Sequence, residues 1–270
     1  MKNRFNTFLT FLMVVTAIEA HSQKLPNKQE TSVYAPANIK IDGKANEWDA
    51  TFQAYNHATD IFYTISNDDN NLYLTVHATD PNVIRRIFTW GIKFSVAPAR
   101  AKTDKDAAVI TYPFFEKDAA FAPALKSKPE IIPGSDASLK LADSFMYVTN
   151  KKMLDKIKLI KVTGIKTLDT LLSIYNENGI RAAGLFDNKM AYTYELAIPL
   201  KILHAKDEVV ISTDHSKFAY HLLINDILYP GTYAMKDKVT GQMIYVVNPP
   251  EFAHPIPTDF WGEYTLAKKQ

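Results

Sequence analysis

Short β-rich segments separated by turn formers constrain the fold of this chain more than any other feature. Residues 61–65 and 72–77 are rich in β-branched and aromatic side chains, and residues 66–71 between them are all Ser, Asn or Asp. This pattern predicts a β-hairpin. A second turn signal, Asn-Glu-Asn-Gly at residues 176–179, again separates two β-rich segments. Many short strands joined by such turns are typical of an antiparallel sandwich. We therefore predict an all-β, antiparallel β-sandwich of the immunoglobulin or jelly-roll kind.

The largest interruption of this pattern is residues 97–137. Pro98, Pro113, Pro123, Pro129 and Pro133 recur there among many alanines. We interpret the segment as a long, proline-punctuated insertion with one strand over residues 109–112. The other predicted strands are 38–41, 52–55, 88–96, 145–148, 157–162, 191–198, 209–211, 218–224, 243–247 and 261–266.

The first 22 residues have the three parts of a secretory signal peptide. Lys2 and Arg4 supply positive charge, residues 8–18 are apolar, and Ala20 and Ser22 are small residues before a cleavage site. The apolar run, about eleven residues, is too short to span a membrane. We predict a signal peptide over residues 1–22, a polar linker over residues 23–36 and one sandwich domain over residues 37–268.

Cysteine content and charge narrow the location and the partners. The chain has no cysteine, so it has neither a disulfide framework nor a cleavage-site cysteine for lipid attachment. The formal net charge is only +2, which gives no electrostatic reason to bind nucleic acid. We expect an exported periplasmic or extracellular protein that is not lipid-anchored and has no transmembrane anchor.

Three segments in a fixed order carry a resemblance to a known family. Residues 39–48 contain Asp42-Gly43 and Glu47-Trp48, residues 68–80 contain the first hairpin loop and its second strand, and residues 192–200 read Tyr-Thr-Tyr-Glu-Leu-Ala-Ile-Pro-Leu. Together they resemble the family 9 carbohydrate-binding modules and the related DOMON domains, which are secreted β-sandwiches. The resemblance implies a non-catalytic protein that binds a glycan or polysaccharide.

Aromatic residues are the candidate ligand contacts, because the flat C–H faces of sugars pack on aromatic rings. The resemblance implies a glycan held between two rings, at positions whose nearest counterparts are Trp90 and Phe252. Tyr112 and Phe115, in the proline-punctuated insertion, are a second candidate platform. The alternative for these residues is that they fold back and cap the sandwich.

The loop of the first hairpin is a candidate cation site. Asp68, Asp69 and Asn71 place oxygen ligands close together, as calcium sites do. An EF-hand pattern is absent, and the alternative is a solvated hairpin loop. Calcium is therefore a candidate cofactor.

Two further functions stay open at the level of sequence. A haem-binding, electron-transfer domain of the related sandwich class needs a His and Met pair, for which His77 or His221 with Met243 are candidates. A glycoside hydrolase needs two converging carboxylates, for which Asp80 and Glu195 are candidates.

Overall fold

The computed structural model describes residues 24–48, 51–116, 121–203, 216–226, 232–237, 240–247 and 256–269. Strands are the predominant regular secondary structure of the described residues, and most of them form two large antiparallel sheets. The strands are β1 (Ala54–Asn56), β2 (Ile61–Asn67), β3 (Asn71–Ala78), β4 (Ile92–Pro98), β5 (Ala108–Phe114), β6 (Leu159–Thr163), β7 (Leu171–Ser173), β8 (Arg181–Phe186), β9 (Tyr192–Pro199), β10 (Lys217–Asp226), β11 (Thr232–Lys236), β12 (Met243–Val247) and β13 (Ile256–Thr265). The helices are α1 (Pro81–Trp90), α2 (Asp136–Lys156) and α3 (Leu200–Leu203).

The two large sheets face each other across a single main core. Sheet A has five strands in the order β1-β2-β3-β9-β8, sheet B has six in the order β13-β10-β4-β5-β6-β7, and β11 pairs with β12. Tyr63 of sheet A and Tyr220 of sheet B meet in the core, with 2.9 Å between their hydroxyl oxygens. The prediction of an all-β antiparallel sandwich is confirmed, and the hairpin predicted over residues 61–77 is β2 and β3.

One predicted strand is helical, and another is helical in its first three residues only. The first three residues of the predicted strand 88–96 are the last three residues of α1. This helix begins after Asp80, which caps it by accepting from the Asn82 and Val83 N–H groups (2.8 and 3.0 Å). The helix ends at Trp90, and Gly91, at φ +75°, allows the chain to turn into β4. The predicted strand 145–148 lies inside the 21-residue helix α2, which Ser135 caps.

The segment 97–137 is less irregular than predicted. Residues 97–98 end β4, and β5 covers residues 108–114, so the first part of the segment is a β-hairpin of sheet B. The segment between this hairpin and α2 contains a short 3₁₀ turn over Leu125–Ser127. The predicted strand 209–211 lies outside the described residues.

The predicted linker is part of the folded domain over residues 24–36. Gln29 is 7% exposed, and its side-chain amide exchanges two 2.7 Å hydrogen bonds with the backbone N–H and carbonyl of Ile65. Tyr34 forms a parallel bridge with Asn67. Because β1 pairs only with the first three residues of β2, this segment occupies the remainder of that edge. The linker prediction is therefore wrong for these residues.

Within the described parts of the chain, no helix has the length and apolar character needed to cross a membrane. The proposed signal peptide, residues 1–22, lies outside those parts.

Candidate functional site

The outward face of sheet A carries a row of side chains that strand alternation directs away from the core. Phe62 of β2 is opposite His77 of β3, and His77 is opposite Thr193 of β9. The next residues along the strands, among them Tyr63 and Tyr194, are buried in the core. Because successive side chains of a strand point to opposite faces, Phe62, His77 and Thr193 lie on the outward face of sheet A, where Phe62 and His77 are half-buried and Thr193 is buried.

The N-terminal segment covers one end of this outer face. The backbone N–H groups of Asp42 and Gly43 donate to Glu195 Oε2 (3.0 and 2.7 Å). Gly43 has φ +81°, and a Cβ there would lie 2.8 Å from the backbone of Gly184, so only glycine fits this close approach. The first and third segments of the family resemblance are therefore in direct contact, and Glu195 is 1% exposed beneath them.

Burial perturbs the Glu195 carboxyl group. Desolvation raises its pKa to about 7, although the hydrogen bonds from Gly43 and Asp42 act in the opposite direction. Glu195 Oε1 has no hydrogen-bond partner among the residues that the structure describes. A carboxyl group enclosed in this way fastens the N-terminal segment to sheet A and does not face solvent.

The uncovered end of the face is a cleft with an aromatic wall, which we call the sheet A cleft. Phe52 stacks on His77 with 5.4 Å between ring centroids and 17° between planes. Phe62 is 5.9 Å from Phe52 and 4.6 Å from Tyr55, centroid to centroid. All four rings are half-buried, so they are fixed by one another while part of each stays exposed.

Polar groups complete the lining of the cleft. Asp187 Oδ1 accepts from the Lys189 and Ala191 N–H groups (both 2.9 Å), which holds the carboxylate in place while Oδ2 has no partner among the described residues. The side chain of Asn46 likewise has none. His77 Nδ1 is 3.0 Å from Thr193 Oγ1, so Nε2 is the ring nitrogen left for a ligand.

The electrostatic state of His77 suits neutral hydrogen bonding. Burial lowers the pKa of His77, and the charge of Asp187 opposes that effect only partly. The imidazole is therefore uncharged at neutral pH, with one nitrogen as donor and the other as acceptor.

The cleft is large enough for an extended ligand. Its aromatic part has a volume of about 650 Å³, and an adjoining cavity beside α2 has about 340 Å³. Lys44, Asn46, Asp187 and Thr193 line both, so the two cavities meet. Ligand pockets of ~300–1,000 Å³ are usual for small molecules.

The structure does not assemble the aromatic residues that the sequence singled out. Tyr112 is 1% exposed and stacks on Tyr194 in the core (5.3 Å, 15°), so the prediction of a ligand platform at Tyr112 is wrong. Phe115 is half-buried, 6.2 Å from Phe88, centroid to centroid, which fits the capping alternative. Trp90 is the half-buried last residue of α1 and does not line the sheet A cleft. Phe252 lies outside the described residues.

The oxygen-rich hairpin loop is held by its own hydrogen bonds. Asp68 Oδ1 accepts from the Asn70 and Asn71 N–H groups (both 2.7 Å), and Oδ2 accepts from the Tyr73 hydroxyl (2.6 Å). Burial would raise the pKa of Asp68, but these hydrogen bonds outweigh it and lower the pKa. Asp69 and Asn71 border a crevice with Glu177 on the next hairpin loop. Within the described residues, no group of three or more His, Cys, Asp or Glu side chains is placed to hold a metal ion.

Of the candidates for the other two functions, His221, Asp80 and Glu195 are engaged in structural contacts. His221 Nδ1 is 3.1 Å from Asp104 Oδ2 and Nε2 is 2.9 Å from Asp259 Oδ2, while Trp261 stacks on the ring at 4.4 Å. Both ring nitrogens of His221 are thus occupied, so it is unsuited to bind haem iron. The Met243 side chain lies outside the described part of the structure. Asp80 caps α1, and Glu195 is enclosed, so this pair does not form a hydrolytic site.

Of the described residues that line the sheet A cleft, only His77 is among the candidate ligand contacts named from the sequence, and it is a candidate for haem. Phe62 lies between the buried residues Ile61 and Tyr63. A phenylalanine on the outward face of a strand is the one local signal in the sequence that indicates a binding surface there. Phe52, Asn46 and Asp187 come from separate loops and approach the strand row only in the fold.

No family model matches this chain, and a search of the curated proteins found no match.

Proposed function

We propose that this protein is an exported, non-catalytic carbohydrate-binding protein that holds a glycan in the sheet A cleft. One observation carries the proposal: half-buried aromatic rings and polar groups with spare hydrogen-bonding capacity line the same cleft. Phe52, Phe62 and His77 form the aromatic side, and Asn46 and Asp187 form the polar side.

The two sides match the two surfaces of a sugar ring. The apolar C–H face of a pyranose packs on an aromatic ring, and such rings supply contact area at little cost in rotamer entropy. Asp187 Oδ2 accepts hydrogen bonds from hydroxyl groups, and the Asn46 amide both donates and accepts. Since the rings are already packed against one another, the wall is organised before the ligand arrives, which reduces the entropic cost of binding.

Among the described residues of the cleft, the carboxylates are placed for hydrogen bonding. Its described carboxylates, Asp187 and Asp143, line it on the polar side, and Asp143 Oδ1 accepts from Asn188 Nδ2 (3.2 Å). Asp187 Oδ1 likewise accepts from the Lys189 and Ala191 N–H groups, so each carboxylate has one oxygen engaged in hydrogen bonds of the fold. This supports binding over hydrolysis.

A glycan-array or affinity-gel screen of the purified protein tests the proposal. We expect binding to one class of polysaccharide and at least a tenfold loss of affinity in Phe62→Ala. The matched control is Tyr175→Ala, which removes an aromatic ring that is 79% exposed and outside the cleft and is expected to change nothing. Asp187→Asn retains the shape of the cleft and is expected to weaken binding by a smaller factor.

The same screen in EDTA tests calcium. Because the Asp68 oxygens already accept three hydrogen bonds, we expect glycan binding to persist without calcium. Loss of binding in EDTA would instead assign a cation to the loop that contains Asp69 and Asn71.

Export is a separate part of the proposal, supported by the charge and apolar pattern of residues 1–22. N-terminal sequencing of the protein recovered from its native compartment is expected to begin at residue 23. An intact Met1 in that material would contradict export through this segment.

A further inference from the structure

A second cavity lies between α1 and residues 121–127, and it shares no lining residue with the sheet A cleft. From its composition we propose that this cavity binds an amphipathic anion: an apolar chain that ends in a carboxylate. Its volume is about 570 Å³, within the range of small-molecule pockets. The inference is independent of the proposed glycan site.

The base of the cavity is aromatic and continuous with the core. Phe88 is 4% exposed and packs edge-on against Phe121, with 5.4 Å between ring centroids. On its other side Phe88 stacks on Phe186 at 5.3 Å. Pro123 and Leu125 extend the apolar lining along the 121–127 segment. An apolar chain in this position is removed from water at about 25 cal/mol for each Å² of surface buried.

The rim of the cavity is cationic. Arg85 of α1 and Lys126 are the charged residues among the described lining, both are exposed, and no acidic residue is among that lining. Asp80, beside the cavity residue Pro81, already accepts two backbone hydrogen bonds from α1 through Oδ1. An anionic head group at the rim therefore meets two cations, and Arg85 can bind a carboxylate with two parallel hydrogen bonds.

The composition argues against a sugar in this cavity. Asn82, Thr89 and Ser127 are the uncharged polar residues of the described lining, set against seven apolar ones. A glycan placed there would find few protein partners for its hydroxyl groups. An acyl chain has no such groups, and its single polar end matches the cationic rim.

Residues 121–127, which form the outer wall of the cavity, can move to admit the apolar chain of a ligand without disrupting a sheet. The backbone hydrogen bonds described for residues 121–127 are local, from Leu125 N–H to the Pro123 carbonyl (2.9 Å) and from Ser127 N–H to the Ala124 carbonyl (3.0 Å). Side-chain packing of Phe121 and Leu125 against the core holds this wall. Such packing adjusts at lower cost than a strand ladder.

Isothermal titration calorimetry with decanoate at pH 8, below its micelle concentration, tests the proposal. We expect saturable binding of one decanoate per protein. The double variant Arg85→Gln/Lys126→Gln is expected to weaken decanoate binding about tenfold and to leave binding of uncharged decanol unchanged. Phe121→Ser is expected to weaken both ligands.

Lys140→Gln/Lys151→Gln, on the exposed side of α2, is the matched control and is expected to affect neither ligand. Circular dichroism spectra confirm that each variant is folded. Absence of saturable decanoate binding to the unaltered protein would overturn the proposal. Equal effects of the double variant on decanoate and decanol, or binding to phosphatidylglycerol vesicles without binding to decanoate, would also overturn it.

Discussion

Replacing Glu195 with glutamine tests how the N-terminal segment is fastened to sheet A. The pKa of Glu195 rises from its ordinary value of 4.5 to about 7 because the carboxyl group is buried. Between these two pH values the unfolded chain loses the Glu195 proton while the folded chain keeps it. The free energy of unfolding therefore falls as pH rises through this window, and the loss is complete above pH 7.

The size of this effect follows from the pKa change. At 1.36 kcal/mol per pH unit, a rise from 4.5 to about 7 corresponds to about 3 kcal/mol of stability lost between pH 4.5 and pH 8. Glutamine does not titrate, and its carbonyl oxygen can still accept the N–H groups of Asp42 and Gly43. Glu195→Gln is therefore expected to gain about 3 kcal/mol relative to the unaltered protein over this pH range.

Urea unfolding followed by tryptophan fluorescence at pH 4.5, 6 and 8 measures this difference. Comparing the two proteins at each pH cancels the titration of all other groups. Glu195→Ala is the control, since it removes both backbone hydrogen bonds and is expected to destabilise the protein at every pH. A stability difference between Glu195→Gln and the unaltered protein that does not change with pH would refute the reasoning.

Three further changes test the fold. Gln29 lies in the segment that the sequence predicts to be a linker, and Gln29→Ala removes its two hydrogen bonds to the Ile65 backbone. Urea unfolding is expected to show that the free energy of unfolding falls by about 1–3 kcal/mol, whereas a true linker would show no change. Asp80→Ala removes the N-cap of α1 and is expected to cost about 0.5–2 kcal/mol by the same assay; an unchanged midpoint would contradict this capping role. Gly184→Ala places a methyl group against the Tyr192 ring and is expected to lower the thermal midpoint by overpacking, for a cost of about 1–3 kcal/mol; an unaltered midpoint would show that the ring moves freely.

The hairpins were predictable because their signals are local. Residues 61–77 contain two β-rich runs and a loop of turn formers, and this is the arrangement of β2 and β3. The start of α1 also had a local signal, since Asp80 and Pro81 are a capping residue and a proline at the first helical position. Residues 88–96 alternate between apolar and polar side chains, which predicts a strand. In the structure this stretch contains the end of α1 and the start of β4, so the alternation is misleading.

Other elements had no local signal. Helix α2 exposes Leu141, Tyr147 and Val148, so its apolar residues do not lie on one face and give no helical periodicity. The N-terminal segment is held by hydrogen bonds of the Gln29 side chain and by backbone hydrogen bonds with Asn67. A hydrophobic pattern in the sequence does not predict such contacts. The sheet A cleft joins Phe52, Phe62 and Asp187 from distant parts of the chain, and only the folded sheet brings them together.

Affinity electrophoresis of Phe62→Ala and Trp90→Ala, in a gel that contains the polysaccharide identified by the screen, tests the central claim most directly. Phe62 lines the sheet A cleft, whereas Trp90 occupies the position implied by the family resemblance. We predict that Phe62→Ala abolishes retardation in the gel and that Trp90→Ala is retarded like the unaltered protein. Retardation lost in Trp90→Ala but retained in Phe62→Ala would contradict the account and place the glycan at the end of α1.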